Sequence, residues 1–546
     1  MGTTGSMNER RLAGTVAGAA GLIAVATLLA RAVGFGRIVV FADAVRAGGV
    51  GEIYGAVNAV PNVLFEIAAG GVLAAVAVPL IGQHLGRGDR ERADRLASIL
   101  FTWVLIALVP MALILFLLAD PIASVLVEAR DPASHRVGAT MLRIFAWQVP
   151  LYGIGIILTG LLHAHRRFLA AALAPLLSSV VVLVSYLWYG HLVDDVTAPS
   201  QVPDSAISVL AWGTTAGVGV LSLPLLVPAL RTGWRWTPSL SLEPADRRRI
   251  LSLAGAGLLA LVAQQFSVLV IIWLAGHAAD PGVLPVQQYV QAVYLLPYAV
   301  LAVPIATSVF PALAHGEGHG GDQGELLGRA LRGIIVLTGL AAGVLMASAP
   351  AVGAFFTALD ARRGATGASP TALQSLSVGL LTAAPGLIGF AVAALLTRAL
   401  YVRGHPLAAG GCVAAGWIVS ALLPLLMAGT GASALATLQA IGTGSSIGMT
   451  LTAVALAFLV RRHWGAPALA GSGRSAATVI VALAVAVMVG DLVTHGRDLS
   501  GLGAALANGL LAGVLALVAG LFVVIIGDRQ GVLGAVKRGR QRRGRS

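Results

Sequence analysis

The chain has 546 residues, of which 57% are hydrophobic and 11% charged, with a mean hydropathy of +0.88; soluble domains carry roughly 25% charged residues, so a soluble enzyme is excluded. Its net charge of +13, from 36 basic and 23 acidic residues, sits in short loops and a C-terminal tail, which points to membrane orientation and anionic headgroups and not to nucleic acid. The one cysteine, Cys412, lies in an apolar run and rules out an intrachain disulfide or a thiolate metal cluster.

Residues 1–13 are polar and basic and are expected to form a cytoplasmic N-terminus. The apolar run after them is too long, and too lacking in a cleavage site, for a removable signal peptide, so it is the first span. Stretches of about 20 apolar residues, enough to cross ~30 Å of hydrocarbon as a helix, then recur to the end of the chain. They predict fourteen spans, at 14–43, 52–81, 96–119, 138–162, 168–190, 206–230, 250–276, 285–313, 327–349, 371–397, 407–428, 433–460, 475–494 and 502–526. Loops after even-numbered spans carry arginines such as Arg87, Arg95, Arg166, Arg167, Arg403 and Arg461, whereas loops after odd-numbered spans carry acids such as Asp120, Asp131, Asp194, Asp195 and Asp498. The arginine-rich face is therefore expected to be cytoplasmic, with both termini and the basic tail at 527–546 on that side.

A weak internal repeat recurs at a shift of about 235 residues. NAVPN at 58–62 matches YLLPY at 294–298, and HAHRRFLAAA at 163–172 matches YVRGHPLAAG at 401–410. The reading is an all-α polytopic membrane protein: a first six-helix bundle with its following loop at 14–249, a second at 250–460, and two extra helices with their preceding loop at 461–526. Six spans per half give both halves the same orientation, a parallel repeat. A cleft between two such halves suits a carrier working by alternating access.

Charges within spans cost ~2.5–3.5 kcal/mol each on insertion scales and are functional candidates. In span one, Arg31 and Arg37 flank Gly34 and Gly36, glycines that permit a kink bringing both guanidiniums into one cavity, where they would suit a diphosphate. The alternative is that both snorkel to the interface. Span two carries Glu52, Asn58, Pro61, Asn62 and Glu66; Glu52 and Glu66 lie about four turns apart on one face, able to pair with the arginines or bind a coupling cation, and Pro61 can bend the span. In spans seven and eight, Gln264, Gln265, Gln287, Gln288 and Gln291 supply neutral donors and acceptors, for substrate or for helix packing. Pro297, Pro304 and Pro311 predict a curved span eight, with Pro297 a candidate hinge. GTGSS at 442–446 lies inside an apolar helix and reads as close helix packing, not a phosphate loop. No catalytic constellation, metal site or cofactor is expected; coupling to the membrane potential or to a cation is the energy source left open.

ARAVGFGR at 30–37 and EIYGAVNAVPN at 52–62, with GLLHAHRRFLAAALAP at 160–175 and LLTRALYVRGHP at 395–406, resemble motifs of the MurJ/MviN family of lipid II flippases, within the multidrug/oligosaccharidyl-lipid/polysaccharide exporter superfamily. The resemblance covers most of the chain. It implies a V-shaped bundle with a cationic cavity for a diphosphate-sugar head, a groove of terminal helices for a polyprenyl tail, and functional weight at Arg31, Arg37, Glu52 and Pro61. Partners would be a lipid-linked oligosaccharide, membrane lipids and proteins of cell-wall synthesis, in the cytoplasmic membrane of a bacterium. The chain departs from the pattern at Phe65 and Glu66, where the family has a basic pair, at Gly70 and Gly71, and at Gln291, Ala292 and Leu295, which predicts a less cationic cavity. Rival readings are a cation-coupled exporter of small amphiphiles on the same fold, a membrane glycosyltransferase, and a non-transporting scaffold for cell-wall assembly.

Overall fold

The computed structural model describes residues 29–193, 198–241, 244–314, 320–361 and 369–527, together with Ala26. The expected N-terminus at 1–13, the basic tail beyond Gly527 and the Asp194-Asp195 pair lie outside them. The described residues contain helices and no strands. In lipid the backbone satisfies its hydrogen bonds only in helices or closed barrels, and continuous apolar runs of about 20 residues take the helix. Among the described residues eleven helices are long and apolar enough to cross a membrane, and a bent pair, Pro370–Ala383 with Gly386–Val402, supplies a twelfth. The protein is thus an all-helical, multi-pass membrane protein.

The chain forms two compact units. The first runs to Leu258 except for Ala47–Glu52; the second comprises Ala47–Glu52 and everything from Leu259. The boundary expected at 249/250 therefore falls inside a helix, Pro244–Gly276. The first unit begins with α1 (29–44) and α2 (Val50–Gly86), which stand where the first two spans were expected. It continues with α3 (Arg90–Leu117), the short α4 (Ala119–Leu126), α5 (Ser134–Phe145), α6 (Gln148–Ala164), α7 (Phe168–Leu192), α8 (Asp204–Ser222) and α9 (Leu226–Leu230). Here α3 packs on α6, and α7 on α8. An extended segment after α9 folds back on the start of α3, where Trp234 Nε1 donates to Ser98 Oγ at 3.1 Å and Trp236 Nε1 to Thr102 Oγ1 at 3.1 Å.

α10 (Pro244–Gly276) leads into the second unit: α11 (Val283–Pro297), α12 (Val303–Ala314), α13 (Gly320–Asp360), α14 (Pro370–Gln374), α15 (Leu376–Ala383), α16 (Gly386–Val402), α17 (Pro406–Met427), α18 (Ala434–Trp464), α19 (Ser472–Thr494) and α20 (Leu502–Gly527). Its core joins Leu327, Leu331 and Ile334 of α13 to Leu396 and Leu400 of α16 and Leu456 of α18. The two extra helices α19 and α20 pack on each other and on α13. Their seam is built of small residues: a Cβ on Gly490 would sit 2.6 Å from the Ala347 Cα, and Ala347, Ala486, Ala512 and Ala516 are buried together. In lipid no hydrophobic force draws helices together, so close backbone packing supplies the attraction.

The structure sharpens the repeat. An offset of 238 residues, against about 235 read from the sequence, maps α6 onto α16, each of 17 residues, and the start of α7 at Phe168 onto that of α17 at Pro406. Both fourth-in-line spans are broken: α5 stops at Phe145 before α6, and α15 stops at Ala383 before α16, with a bend of 46° between the Pro370–Ala383 helices and α16. The single helices expected at 138–162 and 371–397 are therefore pairs. A hydroxyl from another helix holds each break. Thr215 of α8 accepts from Gln148 Nε2 at 3.2 Å and donates to the Ile144 carbonyl at 3.5 Å; Ser446 of α18 accepts from the Gly386 N–H at 3.0 Å and donates to the Thr382 carbonyl at 2.6 Å. Groups freed by a broken helix must find partners in lipid, and these hydroxyls supply them. The following loops match too: Arg167 N–H donates to Leu162 O at 2.8 Å and His405 N–H to Leu400 O at 3.0 Å. Before each of these donors the backbone is left-handed, at Arg166 (φ 58°) and Gly404 (φ 77°), so the first unit places an arginine where glycine is the unstrained choice.

Candidate functional site

The residues singled out in α1 and α2 meet the interior of the first unit in part. α1 runs as one helix across Gly34 and Gly36, without the break that these glycines permit. Six residues of straight helix separate two side chains by about 120°. Accordingly Arg31 is exposed and Arg37 half-buried. Among the described residues neither makes an ion pair or a side-chain hydrogen bond. Arg37 nonetheless lies within electrostatic reach of the Tyr54 and Tyr152 hydroxyls.

Those tyrosines are the centre of the site. Tyr54, buried in α2, shares its hydroxyl with Tyr186 at 2.8 Å and Thr214 at 3.1 Å, and its ring meets Phe41 of α1 at 5.4 Å and Phe145 of α5 at 5.7 Å. An aromatic contact of this kind is worth about 0.5–1.5 kcal/mol beyond its area, so the cluster fixes α1 against α2. Immediately after buried Pro61, Asn62 donates to the Asn58 carbonyl at 2.9 Å and accepts from the Tyr152 hydroxyl at 2.8 Å. Phe65 lies on the Tyr152 ring at 4.4 Å, and exposed Glu66 also bears electrostatically on Tyr152. Arg37, Tyr54, Asn62, Glu66 and Tyr152 thus form one polar group on α1, α2 and α6. α2 continues as helix through Pro61.

Glu52 is half-buried in the first turn of α2, in the stretch that belongs to the second unit, whereas Arg31 and Arg37 belong to the first. In the second unit Gln265 is buried, at 5% exposure, and Gln291 is exposed. After Pro297 the helix opens into a π-helical turn, Tyr298–Ala302, before α12 resumes; π turns are a recognised cause of bending. Tyr298 lies on Phe390 of α16 at 4.4 Å. The offset of 238 that relates α6 to α16 brings Tyr152 onto Phe390, so the pair Asn62–Tyr152 in the first unit has a wholly aromatic counterpart in the second. An open cavity of about 610 Å³ in the second unit, reached by Thr357, Gln374, Ser377 and Ser500, includes none of the residues expected from the sequence. Among the described residues no three histidine, cysteine or acidic side chains are grouped to hold a metal.

Sequence reasoning passed over Tyr54, Tyr152, Gln148 and Arg46. Gln148 is fully buried and Arg46, at 3% exposure, takes a left-handed backbone (φ 70°) in the turn between α1 and α2. The signal available was a polar or hydroxyl-bearing side chain within or beside an apolar run; what it would bond to depended on residues 60 to 160 positions away. Chemically, the group on α1, α2 and α6 offers a guanidinium that makes no ion pair among the described residues, beside aromatic hydroxyls, a setting for an oxygen-rich anion.

Comparison with known proteins adds to this geometry. The family model for "Lipid II flippase MurJ" matches residues 41–522. Similar sequences include the "Probable lipid II flippase MurJ" of Rhizobium meliloti (strain 1021), 26% identical over 352 residues, covering 61% of this chain and 61% of that protein. Another, with the same description, is from Synechocystis sp., 31% identical over 223 residues, covering 40% of this chain and 41% of that protein. The chain thus spans less than two thirds of the length of these curated relatives in the matched regions. Among solved structures the fold is similar to "Lipid II flippase MurJ, inward closed conformation", with a TM-score of 0.70 at 16% identity over 94% of this chain and 99% of that one. It is also similar to an inward-facing multidrug resistance MATE family transporter of the MOP superfamily, with a TM-score of 0.63 at 15% identity over 80% and 95%.

Proposed function

Because the chain belongs to the lipid II flippase MurJ family, we propose that it translocates a polyprenyl-diphosphate-linked cell-wall precursor, lipid II or a related molecule, across the bacterial cytoplasmic membrane by alternating access. The observation that carries this reading is Arg37, a half-buried guanidinium in a membrane helix with no ion pair among the described residues. Leaving it so costs ~2.5–3.5 kcal/mol on insertion scales, a cost that an anionic ligand offsets when it binds. A diphosphate matches the planar fork of arginine bidentately. In this reading Arg31 meets the same head group, Asn62 orients Tyr152, Glu52 and Glu66 repel or pair as the group moves, and Gln265 and Gln291 are further candidate substrate contacts. Gly34, Gly36, Pro61 and Pro297 give the helices room to bend. The arginine-rich loops and both termini face the cytoplasm, the membrane potential or a cation drives the cycle, and proteins of cell-wall synthesis receive the product.

Glu66, a carboxylate beside Tyr152, favours a second reading, the cation-coupled export of small amphiphiles. One experiment separates the two. The chain is depleted in its host, lipid-linked precursors are followed on each leaflet, and rescue is attempted with Arg31→Ala, Arg37→Ala and Glu52→Ala. The expected outcome is that Arg31→Ala and Arg37→Ala leave precursor on the inner leaflet while membrane abundance is unchanged. Full rescue by both arginine variants removes the proposed site, and depletion without any change in precursor distribution removes the substrate class.

A further inference from the structure

The two matching loops that close on Leu162 and Leu400 use their cationic side chains in different ways. In the first unit, Arg167 donates to the carbonyls of Pro228 and Arg231, each at 3.2 Å, and His165 lies beside the Asp94 carboxylate. The Arg167 guanidinium there is engaged by the protein itself. In the second unit the equivalent positions are Arg403 and His405. Among the described residues neither side chain donates a hydrogen bond or forms an ion pair.

These groups are nevertheless held in place. The Arg403 guanidinium lies over the Trp464 ring at 4.2 Å, and Trp464 is itself fixed by its Nε1 donating to the Ala399 carbonyl at 3.1 Å. His405 stacks on His463 with ring centroids 3.7 Å apart, and Arg462 bears electrostatically on His463. Arg403 and Arg462 are exposed and the two histidines half-buried. A guanidinium held over an indole ring by cation–π attraction is positioned without using its N–H donors, which stay available. No acidic side chain among the described residues pairs with any of the four.

We propose that Arg403, His405, Arg462 and His463, at the arginine-rich ends of α16, α17 and α18, bind the phosphate of an anionic phospholipid in the adjacent leaflet. Cationic side chains at the ends of membrane helices stand at headgroup depth, where anionic lipids are attracted to them. The surroundings fit a lipid better than a dissolved anion. Leu407, one residue into α17, is 68% exposed and Tyr401, at the end of α16, is 40% exposed, giving an apolar and an amphipathic neighbour for the chain and glycerol regions beneath a phosphate. The site is independent of the transport reading, since it lies on the second unit and uses none of the residues assigned to the substrate.

The test uses the purified full chain in neutral detergent, titrated with short-chain phosphatidylglycerol, with phosphatidylcholine and with inorganic phosphate, binding being read by thermal stabilisation and by lipid retained in native mass spectra. Phosphatidylglycerol is expected to bind in preference to phosphatidylcholine. In Arg403→Gln/Arg462→Gln that binding is expected to weaken by about tenfold or more, as loss of two headgroup contacts implies, while Arg87→Gln/Arg95→Gln, which removes the same charge from the first unit, leaves it unchanged. His405→Gln/His463→Gln provides a second variant if the first unfolds, with weaker phosphatidylglycerol binding expected there too. Equal weakening in the Arg87/Arg95 control, no preference for the anionic lipid, or equal stabilisation by inorganic phosphate would each overturn the proposal.

Discussion

His165 shows how single side chains in this protein are set by what surrounds them. It sits in the loop between α6 and α7, where burial is the largest influence on its imidazole and lowers its proton affinity; Asp94 opposes this, and Arg90 and Arg167 reinforce it. Among the described residues its Nε2 has no hydrogen-bond partner. The folded chain therefore favours neutral imidazole, whereas an unfolded histidine takes up a proton near pH 6.5. Above that range the residue contributes no pH dependence. As pH falls through it, the unfolded state gains a proton that the folded state refuses, and stability drops until the folded histidine also protonates. The melting temperature of the full chain should accordingly fall between pH 7 and pH 5, and the fall should be shallower in His165→Gln; identical slopes would contradict the assignment. At this scale the sequence disclosed the charges in α1 and α2 as outliers in an apolar run. It did not disclose Tyr152, because a tyrosine in a span is ordinary until Asn62, 90 positions away, is seen to accept its proton.

Helices α16, α17 and α18 show what the glycines and serines of the apolar runs are for. A Cβ on Gly442 would lie 2.8 Å from the Gly379 carbonyl, and one on Gly444 would lie 2.6 Å from Pro424. The reading of GTGSS as a packing motif agrees with these contacts. Gly442→Leu is expected to destabilise the protein by ~1–3 kcal/mol or more through overpacking, and Ser446→Ala by about 1–3 kcal/mol through loss of the bonds that hold the α15–α16 break. Both would appear as lower melting temperatures in detergent, and a Ser446→Ala variant as stable as the parent would show that the break needs no staple. The breaks themselves were only half legible. Pro385 marks one, but Ala146 and Trp147 carry no such signal, and the interruption there becomes visible only when Thr215 and Gln148 are found together.

For the whole molecule, the spacing of apolar runs was enough to predict an all-helical membrane protein in two repeated bundles, because lipid leaves so few alternatives to the backbone. Offset and span integrity were less well read, since weak side-chain similarity carries no information about where a helix breaks. Orientation is open to a direct test. In a Cys412→Ala background, Asp498→Cys should react with a membrane-impermeant maleimide in intact cells, and Arg87→Cys only after permeabilisation; the reverse pattern would invert the topology. The packing of α13 with α19 and α20 bears on any motion this orientation allows. With the Ala347 backbone so near Gly490, and Val344 and Ser348 each 3.3 Å from where a Cβ on Gly513 would sit, α19 and α20 both fit too closely on α13 to slide along it. They must travel as a slab, so the last two helices act as ballast for the second bundle, and a label placed on α20 would report the swing of α13 as faithfully as one on α13 itself.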